Sequence, residues 1–283
     1  MKNILLPTDY SEHANNAFFY ALNLANKFGV KLYVLFSYIP PVLSSFHAGQ
    51  PDMLTTVYQE IENSRHDFAE RKSKALLDLA ATQNINTDNI QFLFEHGTVL
   101  GSVKKVIVNN EISLIVMGVH GVSGFNGEFM GSNTTTVIRN VLLPVLAIPL
   151  QAKYTSIRKI GFTTLFKDKD FDALQQIVEI GQLVQAKVYC INVRQEASDP
   201  SQILYHAENW TKTFERSELE FVFLEKENSV EETVTRFVLE NDIDVLAIVR
   251  RNRNFFDRLI GSSLSSKLTF HAEIPIFVFH EAK

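Results

Sequence analysis

The chain repeats itself. Lys159-Ile160-Gly161-Phe162-Thr163-Thr164 matches Asn3 to Thr8 in position and type, and Gln185 to Ile191 repeats Gly29 to Leu35 at the same offset of 156 residues. Ile243 to Ile248 repeats Ile112 to Met117, Gly261-Ser262 repeats Gly131-Ser132, and Ile274 to Phe279 repeats Leu143 to Ile148. Five matches in one order mark a duplication. A duplicated chain of 283 residues is predicted to fold as two units of ordinary domain size.

Each copy reads as alternating strand and helix. Ile4 to Leu6 has the run of a short buried strand, with Pro7-Thr8-Asp9 as the loop leaving it. Ser11 is placed to cap a helix whose Ala14, Phe18, Ala21, Leu22, Ala25 and Phe28 fall at helical spacing. Gly29 stops that helix, and Lys31 to Phe36 forms the next strand. Such a β-α-β opening predicts a parallel sheet covered on both faces. A long helix over Met53 to Ala81, a strand at Ile90 to Phe94, a helix opened by Gly97-Thr98, a strand at Leu114 to Met117 and a strand within Pro144 to Leu150 complete the first copy. The expected fold is α/β, with two tandem domains, each a five-stranded parallel sheet with helices on both faces. Their predicted bounds are 1–150 and 157–283, joined near Gln151 to Ser156.

Composition narrows the function classes. A hydrophobic fraction of 46% with 21% charged residues suits a well-packed protein. The net charge of −5, without a basic cluster, argues against nucleic acid as a partner. No run reaches the ~18 apolar residues of a membrane span, and the amino terminus turns polar too soon for a signal peptide. A cytoplasmic protein is therefore expected. The single cysteine, Cys190, allows neither an internal disulfide framework nor a cysteine metal cluster, and reads as a small buried apolar residue.

Chemistry concentrates after the apolar run Ile112 to Met117. Gly118-Val119-His120-Gly121 follows it, then Gly131-Ser132, then Asn133 to Ile138 as the start of a helix. A strand that hands over through glycines to a helix N-terminus offers free N–H groups and a positive dipole end to phosphates. Gly97 to Ser102 lacks the spacing and the lysine of a P-loop, and Gly118, Gly121 and Gly124 do not spell the dinucleotide G-x-G-x-x-G. The histidines include no H-x-x-x-H pair, and nothing resembles a nucleophile elbow. His120 reads as a loop-lining residue rather than a base. Efficient phosphoryl transfer needs positioned cations and a base, and no second carboxylate or lysine falls near the loop, which favours a binding module over a catalyst.

The spacing Gly118-x2-Gly121-x9-Gly131-Ser132, the opening Ile4-Leu5-Leu6-Pro7-Thr8-Asp9-Tyr10-Ser11 and the run Leu114 to Gly121 resemble the universal stress protein family. The resemblance implies a Rossmann-like sheet related to the adenine nucleotide α-hydrolase fold, binding ATP, with or without Mg²⁺, at the carboxyl ends of its strands. It implies that Asp9, with Pro7 and Thr8, sits by the ribose and adenine, and that Ser37 falls at an adenine-contacting position. Gly118 and Gly121 would admit the ribose and α-phosphate, with Met117 and His120 beside them. Gly131, Ser132, Asn133 and Thr134 would hold the phosphates through N–H and hydroxyl groups. It also implies that the last strands, Pro144 to Leu150 and Ile274 to Phe279, pair within the chain; a homodimer stays open. The second copy has Leu165 for Asp9 and Val249 and Asn252 for Gly118 and Gly121, so it is expected to bind no ATP, with Arg250, Arg251 and Arg253 as an anion-attracting remnant. The implied function is an ATP-binding stress-response module, with a nucleotide-independent scaffold or a slow ATP hydrolase as alternatives. Residues 40–82, about 26 longer than their counterpart (offset 156 against 130), are open to reading as a lid, an interface or a packed helix.

Overall fold

A computed structural model describes residues 1–41, 51–119, 131–194, 200–214, 217–250 and 274–280. The first run of elements is β1 (Asn3–Thr8), α1 (Glu12–Phe28), β2 (Leu32–Tyr38), α2 (Pro51–Thr82), β3 (Ile90–His96), α3 (Val99–Asn109), β4 (Ile112–Val119), α4 (Ser132–Asn140) and β5 (Val145–Pro149). The second is β6 (Lys159–Thr163), α5 (Asp168–Val184), β7 (Lys187–Arg194), α6 (Pro200–Thr213), β8 (Leu219–Glu225), α7 (Val230–Glu240), β9 (Val245–Arg250) and β10 (Ile276–His280).

The strands lie in the order β3-β2-β1-β4-β5-β10-β9-β6-β7-β8. Every neighbouring pair is parallel except β5 and β10, which run antiparallel with Leu146 opposite Phe277. The two five-stranded sets thus form one ten-stranded sheet, and β5 and β10 each cover an edge that the other would leave open. One face packs under α1, α2, α5 and α6, and the other under α3, α4 and α7. Among the described residues no helix is long and apolar enough to cross a membrane.

Local chemistry sets most helix ends. The Ser11 hydroxyl accepts from the Ala14 N–H at the start of α1, and the Thr98 hydroxyl accepts from the Gly101 N–H at the start of α3. Gly29 ends α1 in the left-handed region at φ 66, where glycine carries no Cβ penalty. Its counterpart Gln185 ends α5 with the same geometry at φ 62, so tertiary packing holds the turn even without the glycine. Two strands run further than their apolar runs indicate. β1 continues through Pro7 and Thr8, and β4 through Gly118; these residues belong to strands rather than to the loops the sequence suggests.

Candidate functional site

The site begins where β1 and β4 separate. β1 pairs with β2 as far as Thr8, opposite Phe36, but with β4 only from Asn3 to Leu5. The cause is readable in the backbone. The Ile4 N–H donates to Lys31 O on the β2 side, and alternation along a parallel strand turns position 7 toward β4. Proline has no N–H to donate there. Pro7 therefore ends the ladder at Leu5, one residue short of the equivalent β6–β9 pairing, beside the crevice at the carboxyl ends of β1 and β4, the place where the strand order reverses and where such sheets hold ligands.

Asp9 stands at the mouth of this crevice and is exposed. Its Oδ1 accepts from the Ser11 N–H at 2.9 Å, and the Thr8 hydroxyl accepts from the Tyr10 N–H at 2.9 Å. The carboxylate thus holds the turn into α1 while remaining open to solvent. Ser37, half-buried near the end of β2, alternates with Tyr33 and Leu35 onto the α3–α4 face. Across the crevice, Gly131 is the N-cap of α4 with no side-chain cap hydrogen bond. The first-turn N–H groups of Ser132, Asn133 and Thr134 therefore have no intrahelical partner, and Ser132 and Asn133 are exposed. The arrangement can accept an anion on α4 and a hydrogen-bond donor on Asp9.

Five of the residues singled out by the sequence have structural roles. Pro7 and Thr8 are buried strand residues, and the Met117 side chain is 5% exposed, packed in the core of the α3–α4 face. Thr134 is buried, and its hydroxyl donates to the Gly118 carbonyl at 3.3 Å, fixing α4 to the end of β4 instead of facing outward. The bare Cα of Gly118 faces α1: a Cβ there would lie 2.4 Å from the His13 carbonyl oxygen and 2.9 Å from the Ala14 nitrogen. This glycine lets the first turn of α1 rest directly on β4. His120 and Gly121 lie outside the described residues.

Residues 1–149 match the profile described as the Universal stress protein family. The chain belongs to this family. The universal stress protein Slr1230 of Synechocystis sp. is 23% identical over 293 residues, covering 99% of this chain and all of that protein. A universal stress protein of Thermus aquaticus is 27% identical over 147 residues, covering 52% of this chain and 98% of its own length. The crystal structure of a universal stress protein from Archaeoglobus fulgidus DSM 4304 has the same fold, with a TM-score of 0.68 at 20% identity over 99% of this chain and 98% of that one.

The second copy satisfies the equivalent turn from within. Thr164 and Phe166 repeat Thr8 and Tyr10, including the bond from the Phe166 N–H to the Thr164 hydroxyl at 2.8 Å and a left-handed φ of 54 at Phe166 against 60 at Tyr10. Leu165 replaces Asp9, and the missing carboxylate comes from Asp170, one turn into α5 at the position Ala14 holds in α1. Asp170 is fully buried; its Oδ2 accepts from the Thr164 hydroxyl at 2.8 Å, the Leu165 N–H at 3.0 Å and the Lys167 N–H at 3.3 Å. Sequence reasoning missed Asp170; the acid-rich first turn Asp168-Lys169-Asp170 was the available signal. Val249, buried, fills the place of Gly118, while Asn252, Arg251 and Arg253 lie outside the described residues.

His280 ends β10 opposite Arg250 of β9. Burial, and secondarily the Arg250 charge, lower its pKa from the ordinary 6.5 to about 4. Folding therefore opposes protonation: the unfolded chain takes up a proton below pH ~6.5, while the native chain does so only near pH 4. The stabilisation is complete above pH ~6.5 and is lost as the pH falls toward 4. Because the ring is only half-buried, we expect a loss of about 1–2 kcal/mol rather than the full linkage value. His280→Gln should flatten that part of a urea-unfolding profile against pH.

Proposed function

We propose that the first copy binds ATP at the carboxyl ends of β1 and β4. Asp9 would accept from the ribose hydroxyls, Ser37 would lie toward the adenine, and the α4 N-terminus, from Gly131 to Thr134, would receive the phosphates through main-chain N–H groups. Gly121 and His120 belong to the same site by family resemblance, and Mg²⁺ would enter on the phosphates. The observation that carries the reading is the contrast between the copies. The exposed Asp9 carboxylate at the open crevice has become, in the second copy, a buried Asp170 carboxylate that consumes the turn's own donors. One ligand site per chain follows. The protein would act in the cytoplasm as a stress-response module through nucleotide-linked conformation or partner binding, not rapid catalysis.

Calorimetric titration of the full chain with ATP and Mg²⁺ tests this. Binding in the micromolar range, about −8 kcal/mol, with a rise in melting temperature, is expected. Asp9→Ala removes one charged acceptor and should weaken binding by roughly tenfold or more, the equivalent of ~1.5–3 kcal/mol. Absence of heat and of thermal stabilisation at millimolar ATP removes the reading in favour of a nucleotide-independent scaffold.

A further inference from the structure

Directly behind Asp9 lies Tyr10, in the left-handed region at φ 60, a conformation that residues with a Cβ adopt rarely and only when their surroundings hold them. Its ring lies on the α1–α2 face, away from Ser37 and Met117, at 5.5 Å from Phe36 and 6.0 Å from Phe68 of α2. Its hydroxyl shares a buried hydrogen bond of 2.8 Å with the Ser73 hydroxyl, also in α2. So one residue joins the Asp9 turn to α2 by both ring and hydroxyl.

α2 is longer than the strands it covers. Its 32 residues span ~48 Å at ~1.5 Å per residue, whereas β3 with 7 residues spans ~23 Å. The helix leaves the carboxyl end of β2 and returns to the amino end of β3, so its own amino-terminal part lies at the crevice edge of the sheet. Glu62 contacts His96, the last residue of β3, at 3.2 Å. Pro51 to Ile61 therefore extends ~16 Å beyond the strand. None of the residues from Thr55 to Asp67 is buried, and burial begins with Ala69, Ser73, Leu76 and Ala80. The helix is anchored around Ser73, and nearer the crevice it meets β3 through Glu62 on His96 and His66 on Phe94.

The second copy keeps the ring contact of this connection but lacks its hydroxyl bond and its extension. Phe166 has no hydroxyl, its ring rests at 5.1 Å from Trp210 of α6, and α6 has 14 residues. The copy with the internal carboxylate has neither the hydroxyl link nor the extension.

We propose that α2 is the responsive element of the ligand site, with Tyr10 passing a change at the Asp9 turn through Ser73 into the projecting end of the helix. The proposal rests on the ATP reading above. A ligand that engages Asp9 draws on the carboxylate whose Oδ1 also accepts from the Ser11 N–H, so it bears on the turn, and the turn sets the backbone angle from which Tyr10 reaches α2.

The test is hydrogen–deuterium exchange across α2 in the full chain, with and without ATP and Mg²⁺, for the wild type, Tyr10→Phe and Ser73→Ala, with calorimetric titration of the same three. In the wild type, ATP should change exchange between residues 51 and 68 by roughly fivefold or more, the lower end of usual coupling. Both variants should bind ATP with the wild-type affinity and lose that change, whereas a merely structural hydrogen bond would raise exchange equally with and without ATP. An ATP-dependent change that survives in both variants overturns the proposal, as does a wild type that binds ATP without response in α2. A wild type that binds no ATP removes the site reading, and this proposal with it.

Discussion

Gly118→Ala is expected to cost about 3 kcal/mol of stability, at the upper end of ordinary overpacking. The added methyl would meet main-chain atoms, the His13 carbonyl oxygen at 2.4 Å, the His13 carbonyl carbon at 2.6 Å and the Ala14 nitrogen at 2.9 Å. Backbone cannot swing aside as a side chain can, so the first turn of α1 has to lift. That turn carries the Ser11 cap and the Ser11 N–H that Asp9 accepts from, so the displacement reaches the site as well. Urea unfolding should show a lower midpoint with an unchanged slope. A loss below ~1 kcal/mol would mean that α1 is not seated on β4 in the way described. The second copy makes the same position Val249 and buries it, so the demand for glycine belongs to the seating of α1, not to the fold as such.

Asp170→Ala should be of similar size, about 3 kcal/mol, because it leaves the Thr164 hydroxyl and the Leu165 and Lys167 N–H groups without their common acceptor. Asp170→Asn keeps the volume and one acceptor oxygen and should cost about half as much. In contrast, Asp9→Ala removes an exposed carboxylate from a turn and should change stability by only ~0.5 kcal/mol. Thermal or urea unfolding of the three variants side by side separates the two roles. If Asp9→Ala proved as destabilising as Asp170→Ala, the first copy's carboxylate would be structural and the contrast on which the ATP reading rests would disappear.

Much of the architecture was legible in the residues. Ser11, Thr98 and Gly29 mark helix ends because caps act locally, through bonds a few residues apart. The apolar runs at Ile4 to Leu6 and Ile112 to Met117 located the central strands, since burial on both faces leaves no polar positions to interrupt them. The strand ends were less legible. Pro7 and Gly118 are turn formers by composition, yet both sit inside strands, because each is suited to a neighbour that the sequence does not name. Which of the candidate residues face outward was legible only in part. Asp9, Ser132 and Asn133 are exposed and Ser37 is half-buried, whereas Met117 and Thr134 turn into the protein.

By itself the sequence determined that the chain is a duplication of an α/β unit with one glycine-rich strand-to-helix connection kept in the first copy and altered in the second. Periodicity and spacing carry that much because they report each element's own burial and its own ends. Only the tertiary structure decided the antiparallel register in which β5 and β10 join the copies into one sheet, that Pro7 ends the β1–β4 ladder by withholding a donor, and that Gly118 makes room for α1. It also decided that the second copy serves its turn with a carboxylate from a buried helix position where the first copy uses one on an exposed turn. These are contacts between elements far apart in the chain, and their energies depend on distances of a few ångströms that no local pattern records.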